Sequence, residues 1–207
     1  MSKLPAPPPV DVLGSTRPPL VRLSAGTMLW RIFGRAGAHA SGWSSFRSFG
    51  PVDARFDHHL PPPREQVRAI YYAAREPATC VAEIFQAERL IERFVDAPWL
   101  VGLSIVRDVL LLDLTGRWPT RAGASMAIHS GPRAVARAWS RAIYEAFPEV
   151  QGLLYCSSMD GNRHAVALYE RARKAMPPRP ELHRALSDPD LLPFLGDAAR
   201  AFGYQVA

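Results

Sequence analysis

Glu83 is the residue of this chain best placed to do chemistry. Around it Cys80, Val81, Ile84, Phe85, Ile91 and Phe94 recur at helical spacing, so one face of the segment is committed to a core. At about 100° per residue, Glu83 projects from the margin of that face, in the row of Ala87 and Leu90. A carboxylate there stands where core meets solvent, as one lining a cleft would. A solvated helix glutamate gives the same pattern, and that is the commoner case. Arg31 is the second candidate. It stands among large apolar residues in the run Thr-Met-Leu-Trp-Arg-Ile-Phe, residues 27–33. An arginine there either snorkels to a strand edge, which the pattern favours, or is held by a sheet at the mouth of a site.

Other reactive residue types point to less. His58 and His59 invite a metal reading, but no Cys, His or carboxylate at ligand spacing completes a site, so no metal is expected. Cys80 and Cys156 lie far apart in apolar contexts; they make no disulfide framework and suit a reducing cytoplasm. The sequence has no Walker loop, no dinucleotide GxGxxG, no GxSxG elbow and no HExxH. The net charge is +6 and rests on arginine, with lysine only at Lys3 and Lys174. That balance suits an anionic partner, either nucleic acid or a phosphate-bearing ligand. The arginines are scattered rather than clustered, which speaks against a nucleic-acid face, and an Arg-, Ala- and Pro-rich composition also follows from a GC-rich genome.

The elements that must position these residues read as follows. The chain of 207 residues suits one domain, or one domain with a tail. Residues 1–25 form a proline-rich N-terminal arm, extended or disordered and with no core of its own, and 26–207 form the domain. Residues 27–33 read as a first strand. The glycine-, serine- and aromatic-rich segment 34–59 reads as irregular loop with a short strand, and Pro61-Pro62-Pro63 as a stiff connector. The apolar run 69–74 is a buried strand, and Glu76-Pro77 then opens the helix that carries Glu83 as far as Phe94. Residues 99–106 and 109–114 read as a hairpin or two adjacent strands, and 116–124 as a loop. Ser130-Gly131-Pro132 opens a second long helix with Val135, Ala138, Trp139, Ala142, Ile143 and Phe147 on its apolar face, ended by Pro148. Residues 152–156 form a strand that runs into a polar turn, 157–162. Residues 164–169 are a strand or short helix, 189–202 a last helix and 204–206 a closing strand. Strands and helices alternate without a βαβ rhythm, which predicts an α+β fold. No run of about 18 apolar residues is present, so no membrane span is expected. The N-terminus lacks a signal-peptide core, and the expected location is cytoplasmic.

Four features now fall into one order. Arg31 lies in a first strand; Arg55-Phe56-Asp57 follows a glycine- and aromatic-rich loop; Tyr72 precedes Glu83 by eleven residues; Tyr155-Cys156-Ser157 ends a late strand. This order resembles the RES-domain family, the toxins of RES–Xre toxin–antitoxin pairs. Arg55-Phe56-Asp57 and the stretch from Tyr72 to Glu83 are most similar to its mycobacterial-type branch. The resemblance runs from residue 27 to the C-terminus and leaves out the arm. It implies a compact ADP-ribosyltransferase-like α+β fold and NAD+ as substrate, with no bound cofactor. Arg31 and Arg55 would face the phosphates of NAD+, for which a planar guanidinium is suited. Tyr72 would pack on the nicotinamide or its ribose, Glu83 would be the key glutamate, and Ser157 would supply a hydroxyl to the site.

The reaction implied is cleavage of the nicotinamide–ribose bond, by phosphorolysis or hydrolysis. The enzyme would be an NAD+ phosphorylase or glycohydrolase, with inorganic phosphate as a co-substrate in the first case and Arg47 available for it. ADP-ribosylation of a protein target is an alternative, and a non-catalytic basic nucleic-acid-binding module is another. The implied partner is an Xre-type antitoxin in a hetero-oligomer, and that partner rather than this chain would contact DNA. One departure is Ala54, where the family usually has glycine: a positive φ there would strain an alanine.

Overall fold

Long apolar runs become the strands of one mixed sheet, and the amphipathic segments become helices on one of its faces. The computed structural model describes residues 3–161 and 163–207. In chain order the first elements are α1 (Val10–Gly14), β1 (Leu20–Leu23), β2 (Met28–Gly34), β3 (Arg47–Gly50), β4 (Arg64–Ala74) and α2 (Pro77–Ile84). Next come β5 (Leu90–Ile91), β6 (Pro98–Ser104), β7 (Val109–Asp113), α3 (Trp118–Arg121) and α4 (Arg133–Ala146). The chain closes with β8 (Gly152–Cys156), β9 (His164–Tyr169), β10 (Leu182–Ala185), α5 (Leu192–Phe202) and β11 (Gln205–Val206). Nine strands form one sheet in the order β1-β7-β8-β9-β4-β2-β6-β10, with β3 beside β4; β5 and β11 pair separately. Within that sheet β7 and β8 run parallel and the other pairs antiparallel. The fold is α+β, as the irregular element order predicts.

This sheet cannot be flat. Four residues link β1 to β2 and four link β6 to β7, yet each pair stands five places apart in the strand order. A four-residue link reaches about 17 Å fully extended, whereas five strand spacings need about 24 Å. The sheet therefore curls back on itself, and the two links meet: Gly26 N–H donates to Ile105 O (2.8 Å) and Ile105 N–H to Thr27 O (3.1 Å). The period-2 alternation of the strands then fills two cores. Leu29, Tyr71, Leu103, Leu111, Val166 and Leu168 fill the concave side. Ile32, Ile70, Leu100, Leu112, Leu153 and Ala167 face the helices.

Several expectations change in the folded chain. The proline arm is not free of the core. Leu4 and Leu13 are buried in the same cluster as Ala136, Trp139 and Ile143 of α4, and the Trp139 indole donates to Pro5 O (2.8 Å). Leu13 is fully buried, so Leu13→Ala is expected to destabilise the protein by about 2–5 kcal/mol in denaturant unfolding. A solvated appendage would respond by no more than about 0.5 kcal/mol. The helix bearing Glu83 stops at Ile84 rather than at Phe94. Arg89 takes a left-handed φ of 52°, and Ile91 is buried in β5, which pairs with β11. Ile84 and Phe94, assigned to the core by spacing, are 53% and 64% exposed. β6 and β7 are consecutive in sequence but lie far apart in the strand order, so they form no hairpin. α3 falls where a loop is expected, and β10 has no counterpart in the sequence reading. No helix among the described residues is long and apolar enough to cross a membrane.

Candidate active site

The site lies where the sheet splits. β2 and β4 pair at Trp30–Ala74 and then part, and β3 takes over as the partner of β4. The gap is a cleft of about 1140 Å³, walled by residues 38–42 and 45–49 and floored by Ile70, Tyr72 and Ala74 of β4. That volume lies just above the usual range of small-molecule sites, which run to roughly 1,000 Å³. Arg31, Arg47, Tyr72 and Glu83 line it. Arg55 and Ser157 stand behind that lining, each bonded to a residue that faces the cleft.

Glu83 owes its place to α2. Pro77 in the first turn starts the helix after the extended Glu76, where its missing N–H costs nothing. Thr79, Cys80, Val81 and Ala82 are buried, leaving half-buried Glu83 at the margin of the face. Thr79 and Glu83 are one helical turn apart and both dock on the turn after β8. The Thr79 hydroxyl donates to Asp160 Oδ2 (2.6 Å), and the Ser157 hydroxyl donates to Glu83 Oε1 (2.5 Å). Ser157 is itself buried, and its oxygen accepts the N–H groups of Met159 and Asp160 (3.1 Å each). With its lone pairs taken by the turn, the serine proton is aimed at the glutamate. Ser157 thus orients the carboxylate.

Arg31 lies over the Tyr71 ring at 4.4 Å from its centroid and donates to Ser45 O (2.9 Å). Among the described residues it has no carboxylate partner. Burial, and in smaller measure the like charge of Arg47, lowers its pKa. A guanidinium with no counter-ion and a cationic neighbour is prepared for an anion. The Tyr72 ring is half-buried in the cleft, while its hydroxyl turns inward and donates to Arg55 O (2.8 Å). Burial holds the Tyr72 phenol well above its ordinary pKa and pushes the Cys80 thiol up to about 12. Cys80 donates to Trp30 O (3.0 Å), which docks α2 on β2. Both groups supply shape and hydrogen bonds rather than proton transfer at neutral pH.

Arg55 opens a tight turn. Phe56 has a φ of 63°, a left-handed conformation that costs a bulky side chain about 1–3 kcal/mol and is held only by strong surroundings. Those surroundings are present: the ring is buried against Tyr155, and Phe56 O accepts the Ser140 hydroxyl (2.7 Å). Ala54 does not take a positive φ, so the glycine-to-alanine departure carries no strain there. The Arg55 guanidinium donates to Gly131 O (2.7 Å) and Ile128 O (3.4 Å) and feels the charge of Glu83, while burial lowers its pKa. It therefore ties the 55–57 turn to the start of α4.

The two histidines serve this turn. His59 Nδ1 pairs with buried Asp57 (2.5 Å), and His58 Nε2 with Glu170 (3.2 Å). Asp57 in turn holds Arg47 (3.0 Å). Phe49 and Tyr155 are among the cleft residues that sequence reasoning missed. Alternation in Arg47-Ser48-Phe49 carries a weak signal for Phe49; Tyr155 reads as an ordinary core aromatic.

The RES domain family matches residues 28–188 of the sequence. No curated protein matches it. Among solved structures, a chain of the M. tuberculosis MbcT–MbcA toxin–antitoxin complex is similar: 18% identity, TM-score 0.56, covering 93% of this chain and 96% of that one. That likeness speaks to the fold. The family match runs from the first residue of β2 past β10 and takes in Arg31, Arg55, Tyr72, Glu83 and Ser157, so the chain belongs to the RES-domain family.

Proposed function

We propose that this chain is the toxin of a toxin–antitoxin pair and acts by breaking the nicotinamide–ribose bond of NAD+. The observation that carries the reading is Glu83, a carboxylate on the wall of a large cleft, oriented by Ser157 and sharing that cleft with Arg31. In the reaction, the C–N bond breaks and its electron pair leaves with nicotinamide, whose ring nitrogen loses its positive charge. The ribose carbon takes up positive charge until an acceptor oxygen bonds to it, as in glycoside cleavage. A fixed carboxylate beside that carbon lowers the barrier, because it is already oriented when the charge appears. Arg31 binds the diphosphate and Tyr72 packs on the nicotinamide riboside, so the bond is presented in place.

The acceptor is phosphate or water, or a protein side chain if the enzyme modifies a target. A toxin that drains NAD+ needs a stoichiometric block in its own cell, which supports an Xre-type antitoxin covering the cleft. That the similar structure is a toxin–antitoxin complex is in keeping with that partner. The test is to incubate the purified chain with NAD+, with and without inorganic phosphate, and identify the products by mass. Free nicotinamide with ADP-ribose or its phosphorylated form is the expected result. NAD+ left intact under both conditions overturns the reading.

A further inference from the structure

The cleft extends well past Glu83. Its lining takes in Ile70, Tyr72 and Ala74 of β4, beside α2, and Glu65 near the start of that strand. Arg47 faces Ile70 across the β3–β4 pair, midway along that strand, and Phe49 faces Glu65 at the far end. Between these two pairs β3 advances two residues while β4 advances five. Irregular pairing of this kind re-aims side chains and is common beside binding sites. Here it leaves Phe49 on the cleft wall with 45% of its surface exposed.

Arg47 is held in place without being used up. Its guanidinium donates to Asp57 Oδ2 (3.0 Å) and to Phe49 O, and Asp57 is wholly buried. Two of five N–H groups are thereby occupied, and the side chain remains 30% exposed. A fixed fork with free donors, adjoining an exposed aromatic ring, is the combination that takes a phosphate and a neighbouring base.

We infer that Arg47 and Phe49 form a second subsite of the cleft for the adenosine-diphosphate end of the substrate, Arg47 anchoring phosphate and Phe49 stacking on the base. The inference deepens the NAD+ reading and rests on it. With nicotinamide at Glu83, the diphosphate falls between Arg31 and Arg47, and the adenine reaches Phe49.

The probes are ADP and inorganic pyrophosphate, titrated calorimetrically into the full chain. Phe49→Ala should weaken ADP by about 10-fold or more and leave pyrophosphate nearly unchanged, since stacking on a base is worth that much. Arg47→Gln should weaken both by about 10-fold or more. Arg47→Lys keeps an ion pair with Asp57 and so guards against a folding defect; it should weaken both in the same direction, because it loses the fork. Glu83→Gln, at the other end of the cleft, and Arg200→Gln, on the exposed face of α5, should bind ADP as the unaltered protein does. An unaltered protein that does not bind ADP overturns the inference. So do Phe49 and Arg47 variants that bind ADP normally, or a Phe49→Ala protein that loses pyrophosphate as strongly as ADP. ADP binding with the expected losses but no NAD+ consumption supports the subsite and rejects the proposed reaction.

Discussion

Glu83→Gln is expected to lower NAD+ turnover by about 10²-fold or more while leaving the fold and NAD+ affinity intact, the scale seen when one preorganised electrostatic group is removed. The substitution keeps the volume of the side chain. The Ser157 hydroxyl, which donates to Glu83 Oε1, can donate equally to an amide oxygen, so α2 stays docked on the turn after β8. The Thr79–Asp160 bond and the buried Val81 and Ala82 are untouched. What is lost is the negative charge, needed only as positive charge grows on the ribose. The loss should therefore fall on kcat, with little change in KM. Melting temperature, NAD+ affinity and NAD+ loss measured on the same protein separate this from a solvated helix residue, whose replacement would alter none of them. A Glu83→Gln protein with turnover near that of the unaltered enzyme removes the central residue from the mechanism.

Why Glu83 was legible in sequence and other parts of the site were not has a physical basis. Its strand–proline–helix context is local: an apolar run, a proline in the first helical turn and a helical repeat of buried residues all lie within some twenty positions. α4 and β8 were legible for the same reason, with long periodic or apolar runs bounded by Gly and Pro. The end of α2 was not, because Ile91 and Phe94 continue the helical spacing by coincidence while Arg89 has already turned the backbone left-handed. The packing of the arm on α4 is not legible, because six prolines hide two isolated leucines. Leu4 and Leu13 have no periodic neighbours, and only the surface of α4 gives them a core.

Long-range pairing left no local trace. The curl of the sheet sends β6 and β7 to distant places, and the split between β2 and β4 that makes the cleft depends on where β3 joins. Arg55 shows the same limit. Its presence in the 55–57 turn was readable, but its bonds to Ile128 O and Gly131 O depend on a segment more than seventy positions away.

Asp57→Ala is expected to cost about 3–5 kcal/mol of stability, the range for removing one partner of a buried charged pair. Asp57 is fully buried and accepts from Arg47 (3.0 Å), Val52 N–H (2.8 Å), His59 N–H (3.1 Å) and His59 Nδ1 (2.5 Å). Alanine would leave two backbone donors, an imidazole and a guanidinium without their acceptor, in a turn already strained at Phe56. Acid should produce the same loss by protonation. Burial alone would raise the Asp57 pKa, but the bonds from His59 and Val52 and the charge of Arg47 outweigh it and hold it far below the usual carboxylate range. Glu170 behaves alike: burial opposes ionisation, yet His58, the Tyr144 hydroxyl and Ala69 N–H bring its pKa down to about 2.

Both carboxyls thus bind a proton more weakly in the folded chain than in the unfolded one. Their stabilisation is complete above the unfolded carboxylate range of about 4 and is lost as pH falls through the folded values. Burial also lowers the His58 pKa, so the unfolded chain takes up that proton first and a smaller loss begins below about 6.5. Urea unfolding at pH 7, 5 and 3 should show stability falling at each step, most steeply between the last two. In Asp57→Ala that last fall should be shallower, because one of the two carboxyls responsible is gone. An Asp57→Ala protein as stable as the parent at pH 7, or one with the same acid slope, would show that the strained turn beside the cleft is held by Ser140 and Tyr155 alone.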